Sequence, residues 1–147
     1  MGINRESKPT YDYIRGVIGG SGSFTFATNK KRGIKIPAFA ISVSKNERRL
    51  LEEIKNTLGL KNKIYEYNYQ KNDGYKRESK VILIVREFGQ LKNIIIPFLY
   101  KKLYGNRERQ FEEWIERIGN DPMVPESFKF LNKIYKSGFY EKNSKWD

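Results

Sequence analysis

Two rhythms of apolar residues run along the chain. Ile14, Val17 and Ile18 fall at i, i+3 and i+4, the stripe of a short helix that runs to about Ile18. Pro9 and Thr10 stand where an early proline and a capping hydroxyl open a helix. Gly19, Gly20 and Gly22 are expected to end it with the left-handed cap that glycine adopts easily. From Gly22 to Asn29 the period changes to two, with Phe24 and Phe26 on one face and Ser23 and Thr25 on the other. NKKRG, residues 29–33, reads as a hairpin turn with Gly33 as its flexible residue. The return strand runs from Ile34 to Val43. Phe39, Ile41 and Val43 share one face, and Ala38, Ala40, Ser42 and Ser44 share the other, while Pro37 marks an edge or a bulge.

Asn46 is the expected cap of a second helix, which carries Leu50, Leu51, Ile54 and Leu58 and stops at Gly59. KIYEYNYQ then alternates strictly: Tyr65, Tyr67 and Tyr69 oppose Ile64, Glu66, Asn68 and Gln70. KNDGYKRE is a second hairpin loop around Asp73-Gly74. VILIV, residues 81–85, is apolar on both faces, so the pattern does not set its inward side. A third helix carries Phe88, Leu91, Ile95 and Leu99 and is interrupted near Pro97. A fourth carries Phe111, Trp114, Ile115 and Ile118 and is closed by Gly119. After a loop with two prolines, a last helix uses Phe128, Leu131, Ile134 and Tyr135 and ends at Gly138.

The order is α-β-β-α-β-β-α-α-α. Four antiparallel strands with helices stacked on one face make an α+β domain. Residues 1–9 are expected to form a polar arm, 10–118 the domain, and 119–147 a helical extension of it. At 147 residues there is enough chain for one core.

Charge adds a partner to this picture. Lys and Arg number 29 against 17 Asp and Glu, a formal net charge of +12, and such an excess favours a polyanion, most often nucleic acid. Cysteine and histidine are both absent. The chain by itself therefore builds no disulfide, no Cys/His zinc site, no cysteine nucleophile and no Ser-His triad. The missing cysteines suit an intracellular protein, in cytoplasm, nucleoid or organelle matrix. MGINRESKPT lacks the apolar stretch of a secretory signal, and no apolar run reaches membrane-spanning length.

Gly16 and Gly20 are four apart on one side of the first helix, where their lack of side chains lets another backbone come close. The stretch Tyr13–Phe24, YIRGVIGGSGSF, resembles the signature of the LAGLIDADG homing endonuclease family. Its nine letters align with Ile14 to Gly22, and Ser23-Phe24 matches the usual continuation. The family's two aspartates would fall at 19 and 21, where this chain has Gly19 and Ser21. ISVSKNERRLLEEIKNTLG, residues 41–59, is similar to the family's second block, with Lys45 where glutamine is common. IIPFLYKKLYGNRERQFEEW, residues 95–114, looks like the third, with Arg107 at the position of a catalytic-pocket lysine. The likeness runs from about Tyr11 to Ile118.

The resemblance implies an αββαββα fold whose saddle-shaped sheet lies in the DNA major groove. With one motif per chain it also implies a homodimer, with Ile14, Gly16, Val17 and Gly20 at the interface. In the family the acidic residue at each helix end holds divalent metal against the scissile phosphates, because a hard cation needs carboxylate and phosphate oxygens. A neutral Ser21 hydroxyl and the bare Gly19 lack that charge. The expectation is therefore a sequence-specific duplex DNA-binding protein with cleavage lost or strongly reduced. No protein metal site is expected and no cofactor is needed for binding, with Mg²⁺ required for any cutting that remains. Lys45, Arg49 and Arg107 are expected in the degenerate pocket with Ser21 and Gly19, as a phosphate-binding patch. The DNA-reading face is expected to use Ser23, Thr25, Ala27 and Asn29, then Ala38, Ala40, Ser42 and Ser44, then Tyr65, Tyr67 and Tyr69. Lys30, Lys31 and Arg32 at one hairpin tip and Lys76 and Arg77 at the other would grip the backbone. Three other readings stay open: an active metal-dependent endonuclease making double-strand breaks, an RNA-binding intron maturase-like factor, and an interaction module with incidental charge.

Overall fold

A computed structural model describes residues 8–68, 79–142 and 144–147. The second hairpin loop, with Asp73-Gly74, Tyr69, Lys76 and Arg77, lies outside the described residues, as does most of the expected arm.

Helix α1, Tyr11–Ser21, starts at Thr10, whose Oγ1 accepts the Tyr13 N–H at 3.1 Å. It continues through Gly19 and Gly20, so the expected stop near Ile18 is corrected. The cap is also different: Gly22 is extended at φ −83°, and its N–H bonds to the Ile18 carbonyl. Glycine is required there by space, since a Cβ would lie 2.7 Å from the Ile18 carbonyl oxygen.

Strands β1 (Gly22–Asn29), β2 (Ile34–Ser44), β3 (Ile64–Tyr67) and β4 (Lys80–Val85) form one antiparallel sheet in the order β1-β2-β4-β3. Pro37 sits opposite Phe26, two residues past the last β2–β4 pair, Phe39↔Val85, so it is at a local edge and costs no ladder bond. That bare edge is covered elsewhere: the Lys35 N–H bonds the Met123 carbonyl at 2.9 Å, and its ammonium pairs with Asp121 at 3.1 Å. The Met123 N–H and then the Lys35 side chain hold the Asp121 carboxyl below the usual range.

Ser44, not Asn46, caps the turn before the second helix, accepting the Asn46 N–H at 3.3 Å. A short 3₁₀ turn, Lys45–Glu47, then leads into α2, Arg48–Leu58, which Gly59 ends at φ +77°. After β4 come α3 (Phe88–Gln90), a π-helical turn (Leu91–Ile95) and α4 (Ile96–Leu99). Helix α5, Gly105–Asn120, runs past Gly119 and so is not closed by it. That glycine instead makes room for Asn132, whose Cγ would lie 2.6 Å from an added Cβ. Helices α6 (Glu126–Lys136) and α7 (Phe139–Lys142) follow, with Gly138 between them at φ +83°.

All these helices contribute to one core on one side of the sheet. Ile14 and Ile18 of α1 meet Phe39 and Ile41 of β2, Leu51 and Ile54 of α2, and Phe98, Phe111 and Leu131 there. Phe24 bridges sheet and helix, with ring centroids 5.2 Å from Phe111 and 5.3 Å from Trp114. The Trp114 indole N–H donates to the Thr25 carbonyl at 2.8 Å and so covers part of the outer edge of β1. Among the described residues no helix is long and apolar enough to cross a membrane.

Candidate nucleic-acid interface

The register decides what the other side of the sheet displays. Directly paired residues of antiparallel strands share a face. Ser23↔Ala40, Thr25↔Ala38, Ala27↔Ile36 and Asn29↔Ile34 stand on the side away from the helices. Ala40↔Ile84, Ser42↔Ile82 and Ser44↔Lys80 continue that face, and Tyr65↔Ile82 and Tyr67↔Lys80 complete it. The expected residues on the described strands thus lie on one surface. Ala38 and Ala40 are recessed at its centre, each 6% exposed, while Tyr65 stands out at 58%. The Ser42 and Tyr67 hydroxyls are hydrogen-bonded at 2.9 Å, which fixes the tyrosine ring across the sheet.

Sequence reasoning missed Ile34, Ile36, Lys80, Ile82 and Ile84 on this face. Ile34 and Ile36 continue the alternation of β2, whereas the apolar-on-both-sides run of β4 hid Ile82 and Ile84, and only pairing with Ser42 and Ala40 reveals their side. The turn carrying Lys30, Lys31 and Arg32 is exposed. It borders a concavity of about 620 Å³ shared with Ile34, Ile36 and Arg86. Asn29 shapes the turn: its side-chain oxygen accepts the Arg32 N–H at 3.2 Å.

At the end of α1 the chemistry is cationic. The Arg107 guanidinium donates through Nε to the Gly19 carbonyl at 3.1 Å and through Nη1 to Gln110 at 2.7 Å. A cation is favourable there because the last carbonyls of a helix carry its negative end. Lys45 and Arg49 are exposed and lie in ion pairs, with Glu66 at 3.1 Å and Glu53 at 3.4 Å. Next to Arg107, Glu108 behaves oppositely: burial first, then the neighbouring Glu112, push its carboxyl up to about 7.

A divalent metal held by the protein does not suit these residues. Ser21 offers a neutral hydroxyl, the Gly19 carbonyl already accepts from Arg107, and Arg107 itself repels a cation. Among the described residues no group of three or more His, Cys, Asp or Glu comes together to hold one. Asp12, at the opposite end of α1, pairs with Arg15 at 3.3 Å.

The outer side of α1 is bare. A Cβ added at Gly16, Gly19 or Gly20 would meet nothing within 4 Å. Val17 lies at the margin, half-buried. Ile14, expected on this outer side, is instead fully buried in the chain's own core, so it has no surface to offer a second copy. The helical stripe Ile14–Ile18 points inward, into the apolar core that it shares with Phe39 and Ile41 of β2.

A four-stranded antiparallel sheet with its helices packed on one face is a mixed α+β fold. A sequence profile described as LAGLIDADG endonuclease matches residues 14–118, and the chain belongs to that family. Among solved structures, the homing endonuclease I-GzeII in complex with its DNA target is 22% identical with a TM-score of 0.61, over 92% of this chain and 46% of that one. I-SmaMI bound to cleaved DNA is 19% identical with a TM-score of 0.61, over 95% and 50%. The homing endonuclease I-TnaI is 16% identical with a TM-score of 0.58, over 93% of this chain and 100% of that one. The chain therefore spans about half the length of I-GzeII and I-SmaMI and the whole of I-TnaI. No curated protein matches it.

Proposed function

We propose that this chain binds duplex DNA as a homodimer through the open face of its sheet and cuts it very poorly or not at all. The observation that carries the reading is the register. It gathers Ser23, Thr25, Ala27, Asn29, Ala38, Ala40, Ser42, Ser44, Tyr65 and Tyr67 on one helix-free surface, in a chain of net charge +12. I-GzeII and I-SmaMI, with the same fold, have been solved on DNA, which supports the choice of polyanion. The binding unit is residues 10–147, with 119–147 as an extension of the same domain, acting inside the cell. Lys30, Lys31 and Arg32 contact phosphates at the hairpin tip. Gly16 and Gly20 of two copies meet, with Val17 beside them, and bring the two Arg107 side chains to the centre of the site. Loss of cutting follows from Ser21 and Gly19. Hydrolysis of a phosphodiester needs large transition-state stabilisation, and a neutral hydroxyl beside a guanidinium anchors no metal to supply it.

The test is selection of bound duplexes from a random pool, with and without Mg²⁺, followed by inspection for cuts. Recovered duplexes should share two related half-sites, remain whole, and bind with a log–log salt slope of about −5 or steeper. Affinity that hardly changes with salt would remove the nucleic-acid reading. Mg²⁺-dependent cutting would establish the endonuclease reading instead, and better competition by structured RNA the maturase-like one.

A further inference from the structure

The helical stretch of residues 88–99 contains a flaw that another segment repairs. In its π-helical turn the Ile96 N–H bonds to the Leu91 carbonyl, five residues back. The next residue is Pro97, which has no N–H to give to the carbonyls four and five residues before it, Asn93 and Lys92. Both are met from outside the helix. The Tyr140 hydroxyl donates to the Lys92 carbonyl at 2.9 Å, and the Trp146 indole N–H to the Asn93 carbonyl at 3.3 Å. Carbonyls left without a partner in a part-buried place cost free energy, so Tyr140 and Trp146 are each bound at a defined point.

From there the connection runs to α1. The Trp146 carbonyl accepts from Arg15 Nη2, while Arg15 Nε donates to the Phe98 carbonyl at 2.9 Å. The guanidinium lies 4.4 Å over the Phe98 ring and is almost wholly enclosed, with 7% of Arg15 exposed. The Trp146 ring packs edge-on against Phe98 at 5.7 Å and Tyr11 at 5.5 Å. A charge buried to this degree needs its donors satisfied, and the Trp146 carbonyl is one of three acceptors that hold Arg15, beside the Phe98 carbonyl and the Asp12 carboxylate. Arg15 is followed directly by Gly16 on the bare side of the same helix turn.

We infer that the segment carrying Tyr140 and Trp146 is a strap that positions α1: it docks on the two open carbonyls of the Pro97 helix, and its own carbonyl then fixes Arg15 and so the setting of the glycine face. Tyr140, Trp146 and Arg15 are positioning residues in this account. Its link to pairing rests on the proposed meeting of two copies at Gly16 and Gly20; the setting of α1 does not.

Hydrogen exchange on the full chain separates the two. Trp146→Phe keeps a ring and removes the indole donor. Arg15→Lys keeps the charge and removes the fork that reaches two carbonyls. Each should speed exchange of the α1 amides fivefold or more and leave the α2 amides unchanged, a local effect. Tyr140→Phe, the mildest change, should speed exchange around residues 93–96 and act less on α1. Equal acceleration in α1 and α2, or no change in α1 with any variant, would overturn the strap and reduce the segment to core filling. Sedimentation of the same samples reads pairing. A monomeric wild type whose α1 exchange still responds upholds the strap and removes the dimer, whereas a dimer that weakens tenfold in Trp146→Phe supports both.

Discussion

The two sides of α1 are built in opposite ways. Ile14 and Ile18 on one side are fully buried, and Gly22 at the helix end touches Ile18 so closely that no side chain fits. On the other side Gly16, Gly19 and Gly20 face open space. Glycine thus stands for two opposite reasons within seven positions. On the inner side it is forced by contacts within this chain. On the outer side nothing in this chain forces it, and in a helix interior it costs about 0.5–1 kcal/mol relative to alanine. The proposed pairing of two copies rests on this side. The first turn of α5 repeats the contrast: Arg107 reaches outward to the Gly19 carbonyl, while the adjacent Glu108 has one carboxyl oxygen buried without a partner among the described residues.

The same substitution on the two sides breaks the comparison most directly. Gly22→Ala puts a Cβ 2.7 Å from the Ile18 carbonyl oxygen and 2.8 Å from its Cγ2. The expected loss is about 1–3 kcal/mol in denaturant unfolding. An unchanged midpoint would mean that the helix-to-strand turn yields easily and that the inner side is less tightly set than described.

A smaller effect is expected at α5. The Glu108 carboxyl is pushed up to about 7 in the folded chain, chiefly by burial and then by Glu112. A raised carboxyl binds its proton more tightly folded than unfolded. The associated stability is complete below about pH 4.5 and is lost as pH rises through about 7. Because Glu108 is partly open to solvent, the cost above that pH is discounted to about 1 kcal/mol. Glu108→Gln should flatten the stability profile between pH 4.5 and 7.5 and raise the melting temperature at pH 8. A profile as steep as that of the wild type would place the titration on another group.

The smallest effect carries the opposite sign. Gly16→Ala meets no atom of its own chain, so the isolated subunit should gain about 0.5–1 kcal/mol. If a second copy seats on this side, the same methyl group should weaken self-association. A stability gain with no change in association, followed by sedimentation across protein concentration, would leave the bare side without its proposed partner.

Much of this was legible in the residues. Alternation in β1 and β2 separated Phe24, Phe39 and Ile41 from Ser23, Ala40 and Ser42 correctly, because each strand buries one face only. It failed on β4, where Val81, Leu83 and Val85 are buried while Ile82 and Ile84 are partly open, and both sets are aliphatic. Pairing, not composition, distinguishes them. Helix ends were harder. Gly19, Gly20 and Gly119 read as stops, yet all lie inside helices: at Gly119 the missing side chain makes room for Asn132, and α1 runs on through Gly19 and Gly20 to Ser21. At the site, the family pattern located Ser21 and Arg107, but the bond from Arg107 to the Gly19 carbonyl joins residues 88 positions apart and has no local signature. Nor does anything in the sequence near Arg15 announce that its partner is Trp146.

That last contact joins residues 131 positions apart. The entropy lost in closing a loop grows only with the logarithm of its length, so bridging nearly the whole chain costs little more than bridging half of it. With Tyr11 and Trp146 in ring contact, the start of α1 and the stretch after α7 occupy one place, and the path of the backbone between them is close to a ring. Such a path has no privileged starting point: a short connector between those positions, with new termini opened at the exposed Lys30–Lys31 turn, would describe the same architecture in a different reading order.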